Sequence, residues 1–384
     1  MSVPQRLLMG PGPSPVSPRV MGALASPVLS HLDPYVVAAM DDIRARLTRL
    51  FRARDGAVTL AVSGTGTAAM EAAVANVSRP GDRALVVVTG YFGDRLAQML
   101  ERYGARVRRV EGEWGRACDP GLVEAALKDE GADLVGIVHA ETSTGVLNPV
   151  GDIARLAAAH GALLIADAVT SFGAMPLDTG SWGPSVCYSC AQKGLGAPSG
   201  LSPITFSPEA AANRSGSRSF YFDLSLLESY WTERKYHHTI SSPLVLALRE
   251  ALAAVEEEGL DARHARHRAN HVALAGGLSA LGLDLLPPAA ERLWTLNAIR
   301  VPPGVDEAAV RRQLLQEFDI EIGAGLGPLA GRIWRVGLMG EGSRLANVLI
   351  FLSALEYSLR AGGFRLPVTS PAVAATGEAS STEL

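Results

Sequence analysis

From about residue 57 to 207, short apolar runs alternate with amphipathic segments. That rhythm is the signature of stacked βα units, because a strand buried on both faces reads as a continuous apolar run and the helix covering it shows one apolar stripe. Candidate strands are 83–89, 105–110, 134–140, 162–167, 186–190 and 202–206, with helices at 67–77, 91–103, 120–128 and 150–160 between them. After about residue 245 the rhythm changes to two long helices, 244–258 and 260–281, then strands at 295–301 and 333–337 around a helix at 305–318, and a last helix at 344–361. An α/β large domain with a mostly parallel sheet and a smaller α+β C-terminal domain is the expectation, divided as 19–245 and 246–366. The Pro- and Gly-rich stretch within 1–18 suits a segment crossing between domains or subunits, and 367–384 reads as a disordered tail.

Composition narrows the function classes. A net charge of −4 over 384 residues offers no field for nucleic acid or an anionic membrane, so small molecules or a second copy of the chain are the expected partners. Neither a leader-like N-terminus nor a long apolar run is evident, and the closing Thr382-Glu383-Leu384 is not a peroxisomal address; the cytoplasm is the default expectation. Cys118, Cys187 and Cys190 cannot close a disulfide framework or a zinc site, and the eight histidines include no HExxH spacing, so no metal is expected.

Lysine usage is the sharpest chemical signal. It occurs only at Lys128, Lys193 and Lys235, with arginine supplying every other fixed positive charge. Lys128 and Lys235 sit among charges, whereas Lys193 lies in the uncharged, glycine-rich Ser189–Gly200 stretch just after an apolar strand. A lysine partly desolvated there has a lowered pKa and can condense with an aldehyde, which arginine cannot do. Asp167 closes the apolar strand 162–167, where a carboxylate faces the ligand crevice of an α/β sheet and could pair with a protonated pyridine nitrogen. The third element, Ser63-Gly-Thr-Gly-Thr67 running into a helix, offers backbone N–H groups to a phosphate, without the full P-loop or dinucleotide fingerprint. Phosphate turn, strand-end aspartate and lysine 26 residues later together point to pyridoxal phosphate.

The chain resembles the class V, fold type I pyridoxal-phosphate aminotransferases of the alanine-glyoxylate and serine-pyruvate group. The resemblance rests on Gly-Pro-Gly-Pro at 10–13, Ser-Gly-Thr-Gly-Thr at 63–67, His-Ala-Glu-Thr-Ser-Thr-Gly-Val at 139–146 and Asp-Ala-Val-Thr-Ser-Phe-Gly at 167–173. It continues through Gln-Lys at 192–193, Tyr-His-His-Thr at 236–239, Phe-Asp-Ile-Glu-Ile-Gly at 318–323 and Trp-Arg-Val-Gly at 334–337. It implies a sheet of the seven-stranded type. It also implies that Lys193 holds the aldehyde and moves the α-proton, that Asp167 pairs with the ring nitrogen, and that Gln192, Thr65, Gly66 and Thr67 surround the phosphate. Tyr236 and Thr239 would reach that phosphate from a second subunit, making the active unit a homodimer. Phe92 stands where the family usually stacks a tryptophan and Thr142 where a serine is usual, while Arg335, with Gly10 nearby, matches the substrate-carboxylate site.

One fixed cation in the pocket favours small monocarboxylates, alanine or serine as donor and glyoxylate or pyruvate as acceptor. Ureidoglycine-glyoxylate transfer is the rival, suggested by 199–207 and 221–224, with Tyr236, where asparagine is expected in that group, arguing against it. A cysteine desulfurase would need a nucleophilic cysteine later than Cys190, and a purely binding role is the remaining alternative.

Overall fold

A computed structural model describes residues 3–214, 216–367 and 370–381. Seven strands form the large sheet: β1 (Val58–Gly64), β2 (Arg83–Val88), β3 (Arg106–Glu111), β4 (Leu134–Val138), β5 (Leu163–Asp167), β6 (Val186–Tyr188) and β7 (Gly200–Phe206). Their spatial order is β1-β7-β6-β5-β4-β2-β3, parallel from β6 through β3, with β7 antiparallel to both its neighbours. The interior strands β4 and β5 are almost wholly buried, which is why they read as unbroken apolar runs. Helices α1 (Pro34–Phe51), α2 (Gly66–Val77), α3 (Tyr91–Arg102), α4 (Pro120–Glu130) and α5 (Val150–Ala159) pack around this sheet.

The sequence reading located no element at α1 or β1. Yet α1 is announced by Asp33, whose side chain accepts from Tyr35 N–H ahead of Pro34 in the first turn, and it buries Val36, Met40, Ile43 and Leu47 at helical spacing.

After the large sheet come α6 (Ser242–Glu258), α7 (Leu260–Ala280), β8 (Leu296–Arg300), α8 (Glu307–Glu317), β9 (Gly323–Ala324), β10 (Ile333–Gly337) and α9 (Leu345–Ala361) in chain order. By packing, however, α6 belongs to the large core, which takes Val245, Leu248, Leu252 and Val255. The change of core therefore falls after Val255, beyond the expected division at 245. The second core begins at Ala273 and joins β8, β10 and α9. Arg263 on α7 binds the two domains at a sensitive place, donating to Gly173 O at 2.7 Å and to Gly194 O, the residue after Lys193, at 2.6 Å.

Two expectations about the ends are corrected or refined. Of the tail 367–384, expected to be disordered, Pro371–Ser381 form α10, which lies along α7 with Ala375 fully buried in the second core; 368–369 and 382–384 lie outside the described residues. Residues 7–14 run from the second core to the loop that bears Lys193. Leu7 and Leu8 pair in parallel with Ile320 and Glu321, Gly337 N–H donates to Met9 O at 2.8 Å, and Ser14 N–H donates to Gln192 O at 2.9 Å. Among the described residues, no helix is long and apolar enough to cross a membrane.

Candidate active site

A cavity of about 270 Å³ opens at the carboxyl ends of the parallel strands, where an open α/β sheet binds its ligand. Each strand end delivers a different group. β5 ends in Asp167, whose Oδ1 accepts from Val169 N–H at 2.8 Å and whose Oδ2 accepts from the Tyr188 hydroxyl at 3.0 Å. Burial pushes this carboxyl up to about 7 despite those two bonds, and among the described residues it has no ion pair. A buried carboxylate in that condition awaits a cation.

Lys193 follows β6 on the loop toward β7. Its ammonium donates to Pro11 O, and burial lowers its pKa, with the nearby Arg335 charge acting in the same direction. Gly12 makes this approach possible: it sits at φ 111°, and a Cβ there would lie 2.6 Å from the lysine Cδ and Nζ. The N-terminal segment thus forms a wall of the cavity.

The β1–α2 turn supplies the opposite side. Thr65 is the N-cap of α2, but its hydroxyl makes no capping bond, so it is left for another partner. Thr65, Gly66 and Thr67 line the cavity with Gln192, whose Oε1 is buried without a hydrogen-bond partner, as is Thr170 Oγ1. Phe92 lies in the first turn of α3, and Thr142 lines the cavity from the segment after β4.

Glu141 fixes the α3 turn. Its carboxylate, fully buried, accepts from Phe92 N–H and Gly93 N–H, each at 3.2 Å, and from the Ser143 hydroxyl at 2.6 Å. Gly90 allows the two segments to touch, since a Cβ there would lie 2.4 Å from Ser143 Oγ.

Arg335, from β10, does not itself line the cavity. It is held just behind Thr142, donating to Ala324 O at 2.6 Å and toward Thr142 O at 3.4 Å. It is only 7% exposed, burial lowers its pKa to about 10, and among the described residues it has no ion pair. A guanidinium without a carboxylate suits a carboxylate ligand. Gly10 is likewise outside the lining, its carbonyl packed against Gly337.

Tyr236 and Thr239 do not reach the cavity of their own chain. Tyr236 is 64% exposed and its hydroxyl meets Thr239 Oγ1 at 3.4 Å. The residue between them that does face inward is His238, whose Nε2 lies 2.6 Å from Ser63 Oγ behind the phosphate turn.

The sequence reading missed Arg95, which lines the cavity from α3 as a cation beside Lys193, whereas the fixed cation expected there, Arg335, stands behind Thr142. Met70, Val138, Ala140 and Ser199 were also missed. Nothing in a single sequence says which face of α3 turns inward, and Arg95 is one of many arginines. The three cysteines are buried, with the Cys118 and Cys190 thiols pushed up to about 11 and about 12 by burial, so none is poised as a nucleophile. Among the described residues there is no cluster that could hold a metal ion.

Comparison with known proteins gives one family. A family model described as aminotransferase class-V matches residues 19–332. The crystal structure of ureidoglycine-glyoxylate aminotransferase from Bacillus subtilis superposes with a TM-score of 0.94 at 37% identity, covering 98% of this chain and 99% of that one. The structure of alanine-glyoxylate aminotransferase from Nostoc sp. gives 0.91 at 45% identity, over 94% and 97%. Alanine-glyoxylate aminotransferase of Drosophila melanogaster is 37% identical, over 93% of both chains.

Proposed function

The chain belongs to the class-V aminotransferases, and from that premise we propose that it transfers the amino group of a small amino acid, alanine or serine, to glyoxylate or pyruvate. The family's cofactor is pyridoxal phosphate, which when bound supplies an electron sink for the carbanion at the substrate α-carbon. The observation that carries the reading is the convergence of a desolvated lysine, a buried unpaired carboxylate and a hydroxyl-lined helix N-terminus on one cavity.

The residues divide the work by their chemistry. Lys193 would hold the aldehyde, and its Nζ would take the α-proton, a role that its lowered pKa favours. Asp167 would pair with the ring nitrogen and favour a proton there, gaining the cation that its burial calls for. Thr65, Gly66, Thr67 and Gln192 hold the phosphate, Gln192 and Thr170 bringing buried polar atoms that lack partners. Phe92, on a turn fixed by Glu141, would offer its face to the ring, and Thr142 its hydroxyl. Arg335, with Gly10 beside its strand, takes the substrate carboxylate.

Tyr236 and Thr239, exposed and outside their own cavity, support a homodimer in which each chain completes its partner's phosphate site. Cytoplasmic placement rests on the sequence reading alone.

Ureidoglycine as donor is a second reading, favoured by the 0.94 superposition on the Bacillus subtilis enzyme. A half-reaction screen separates the two. The cofactor-loaded protein is mixed with alanine, serine, glycine, aspartate and ureidoglycine in turn, and the visible band of the bound cofactor is followed. Bleaching by alanine or serine, reversed by glyoxylate, is the expected result. Fastest bleaching by ureidoglycine would select the second reading, and a response to aspartate alone would overturn both.

A further inference from the structure

We propose that Arg95 is the fixed positive charge that neutralises the cofactor phosphate, an assignment that rests on the cofactor reading above. Of the residues lining the cavity only Lys193 and Arg95 are cationic. Lys193 is committed to the aldehyde, and the phosphate turn, Gln192, Tyr236 and Thr239 are all neutral. A phosphate monoester carries between one and two negative charges near neutrality, and a helix N-terminus offsets only about half of one. Without Arg95 the anion would face the helix N-terminus with most of its charge unanswered.

The geometry of Arg95 fits that task. Its Nη1 donates to Thr67 Oγ1 at 3.1 Å, which ties the guanidinium to the turn that cradles the phosphate. Its Cζ lies 4.9 Å from the Phe92 ring centroid and 5.2 Å from that of Tyr91, so the planar group rests on aromatic faces. Among the described residues it has no carboxylate partner, whereas its neighbour Asp94 pairs with Arg109 at 2.9 Å. Guanidinium carries five donors in a fixed fork, suits phosphate oxygens, and stays charged at every working pH. Arg335 shares none of these partners, being held by Ala324 O and Thr142 O. The second cation in the pocket therefore serves the cofactor and leaves the small-monocarboxylate reading intact.

The test compares two ligands that differ only in the phosphate. Dissociation constants for pyridoxal phosphate and for pyridoxal are measured on cofactor-free parent, Arg95→Met and Arg95→Lys proteins by titration of the visible band, with 31P NMR of the bound phosphate as a second readout. Arg95→Met is expected to weaken pyridoxal phosphate about 10- to 100-fold and leave pyridoxal within about twofold, with Arg95→Lys recovering part of the loss because it keeps the charge but not the fork. Equal losses for both ligands would show that Arg95 merely supports the aromatic turn, and no loss for either would remove it from the phosphate site; both outcomes overturn the assignment. Should Arg95→Met fail to fold, Arg95→Lys decides: an unchanged 31P resonance and unchanged affinity would overturn it. Failure of the parent to bind pyridoxal phosphate at all would instead sink the cofactor reading, and is visible in the same experiment.

Discussion

Tyr188 and Asp167 stand as register partners on neighbouring parallel strands, and the tyrosine hydroxyl donates across the seam to Asp167 Oδ2 at 3.0 Å. Burial pushes that carboxyl up to about 7, and the bond, together with the one from Val169 N–H, opposes the rise. Tyr188→Phe lets the carboxyl rise further and become more neutral, so cofactor affinity should fall about tenfold near neutral pH. The deficit should shrink in alkaline solution, where Asp167 ionises without help. Cofactor titration across pH measures this, and a pH-independent deficit would mean that Tyr188 acts only by packing.

Lys193→Arg preserves the positive charge and most of the volume but cannot condense with an aldehyde. We expect it to abolish the covalently held cofactor as completely as Lys193→Ala, with transamination down at least about 1000-fold. Protein loaded with cofactor, reduced with borohydride while folded and then denatured for mass analysis, should lack in both variants the cofactor adduct that the parent carries. An adduct that persists in either would displace Lys193 from its role.

Arg335 is gripped by two carbonyls and has no carboxylate partner among the described residues. Arg335→Lys keeps the charge and loses the paired donors, so KM for the amino donor should rise about 10- to 100-fold with a smaller change in kcat. Steady-state kinetics with alanine give the split directly. A fall in kcat at constant KM would point to a role away from substrate binding.

The cofactor-free protein should pay for Asp167 in a pH-dependent way. Its folded pKa, about 7, lies above the ordinary 3.8, so between those values the folded chain binds more protons than the unfolded one. Stability from this group is whole below the lower value and lost as pH rises toward the upper. Asp167→Asn removes the decline, and relative to the parent it should gain up to about 4 kcal/mol across that window. Denaturant unfolding of the two cofactor-free proteins in parallel cancels contributions from the buried histidines, and a constant difference would refute the coupling.

Shared sites predict complementation between subunits. One chain carries Lys193→Ala and the other Tyr236→Phe with Thr239→Val. In a mixed dimer, one site combines an intact Lys193 with an intact partner turn, so it should bind the cofactor with parental affinity. Neither homodimer should do so. Absence of a tight site in purified mixed dimers would place Tyr236 and Thr239 outside the cofactor's reach.

How much of this could be read from the chain follows from where each signal resides. The run 162–167 announces both a buried parallel strand and the carboxylate at its end, because a strand covered on two faces must be apolar until it emerges. Lys193 stands out through the scarcity of its residue type and the absence of charge around it. Arg95 does not, since its meaning depends on Thr67 and Phe92 being brought beside it by the packing of α3 against the sheet. Glu141 is hidden for the same reason, its ligands Phe92 and Gly93 lying 49 and 48 positions earlier in sequence. The helix at the tail was missed because a row of alanines and small polar residues is held by packing along α7 and α9, with Ala375 buried, which no local pattern reports.

The threading of residues 7–14 between Gly337 and Lys193 also governs when the enzyme can come into being. A nascent polypeptide that has just left the ribosome through β7 already holds Asp167, Lys193 and the phosphate turn. Its first residues still lack the strand at 333–337 on which Met9 is pinned, so Pro11 has no fixed position from which to receive the lysine. Assembly of the pocket therefore waits for nearly the whole chain, and its beginning is among the last parts to be seated.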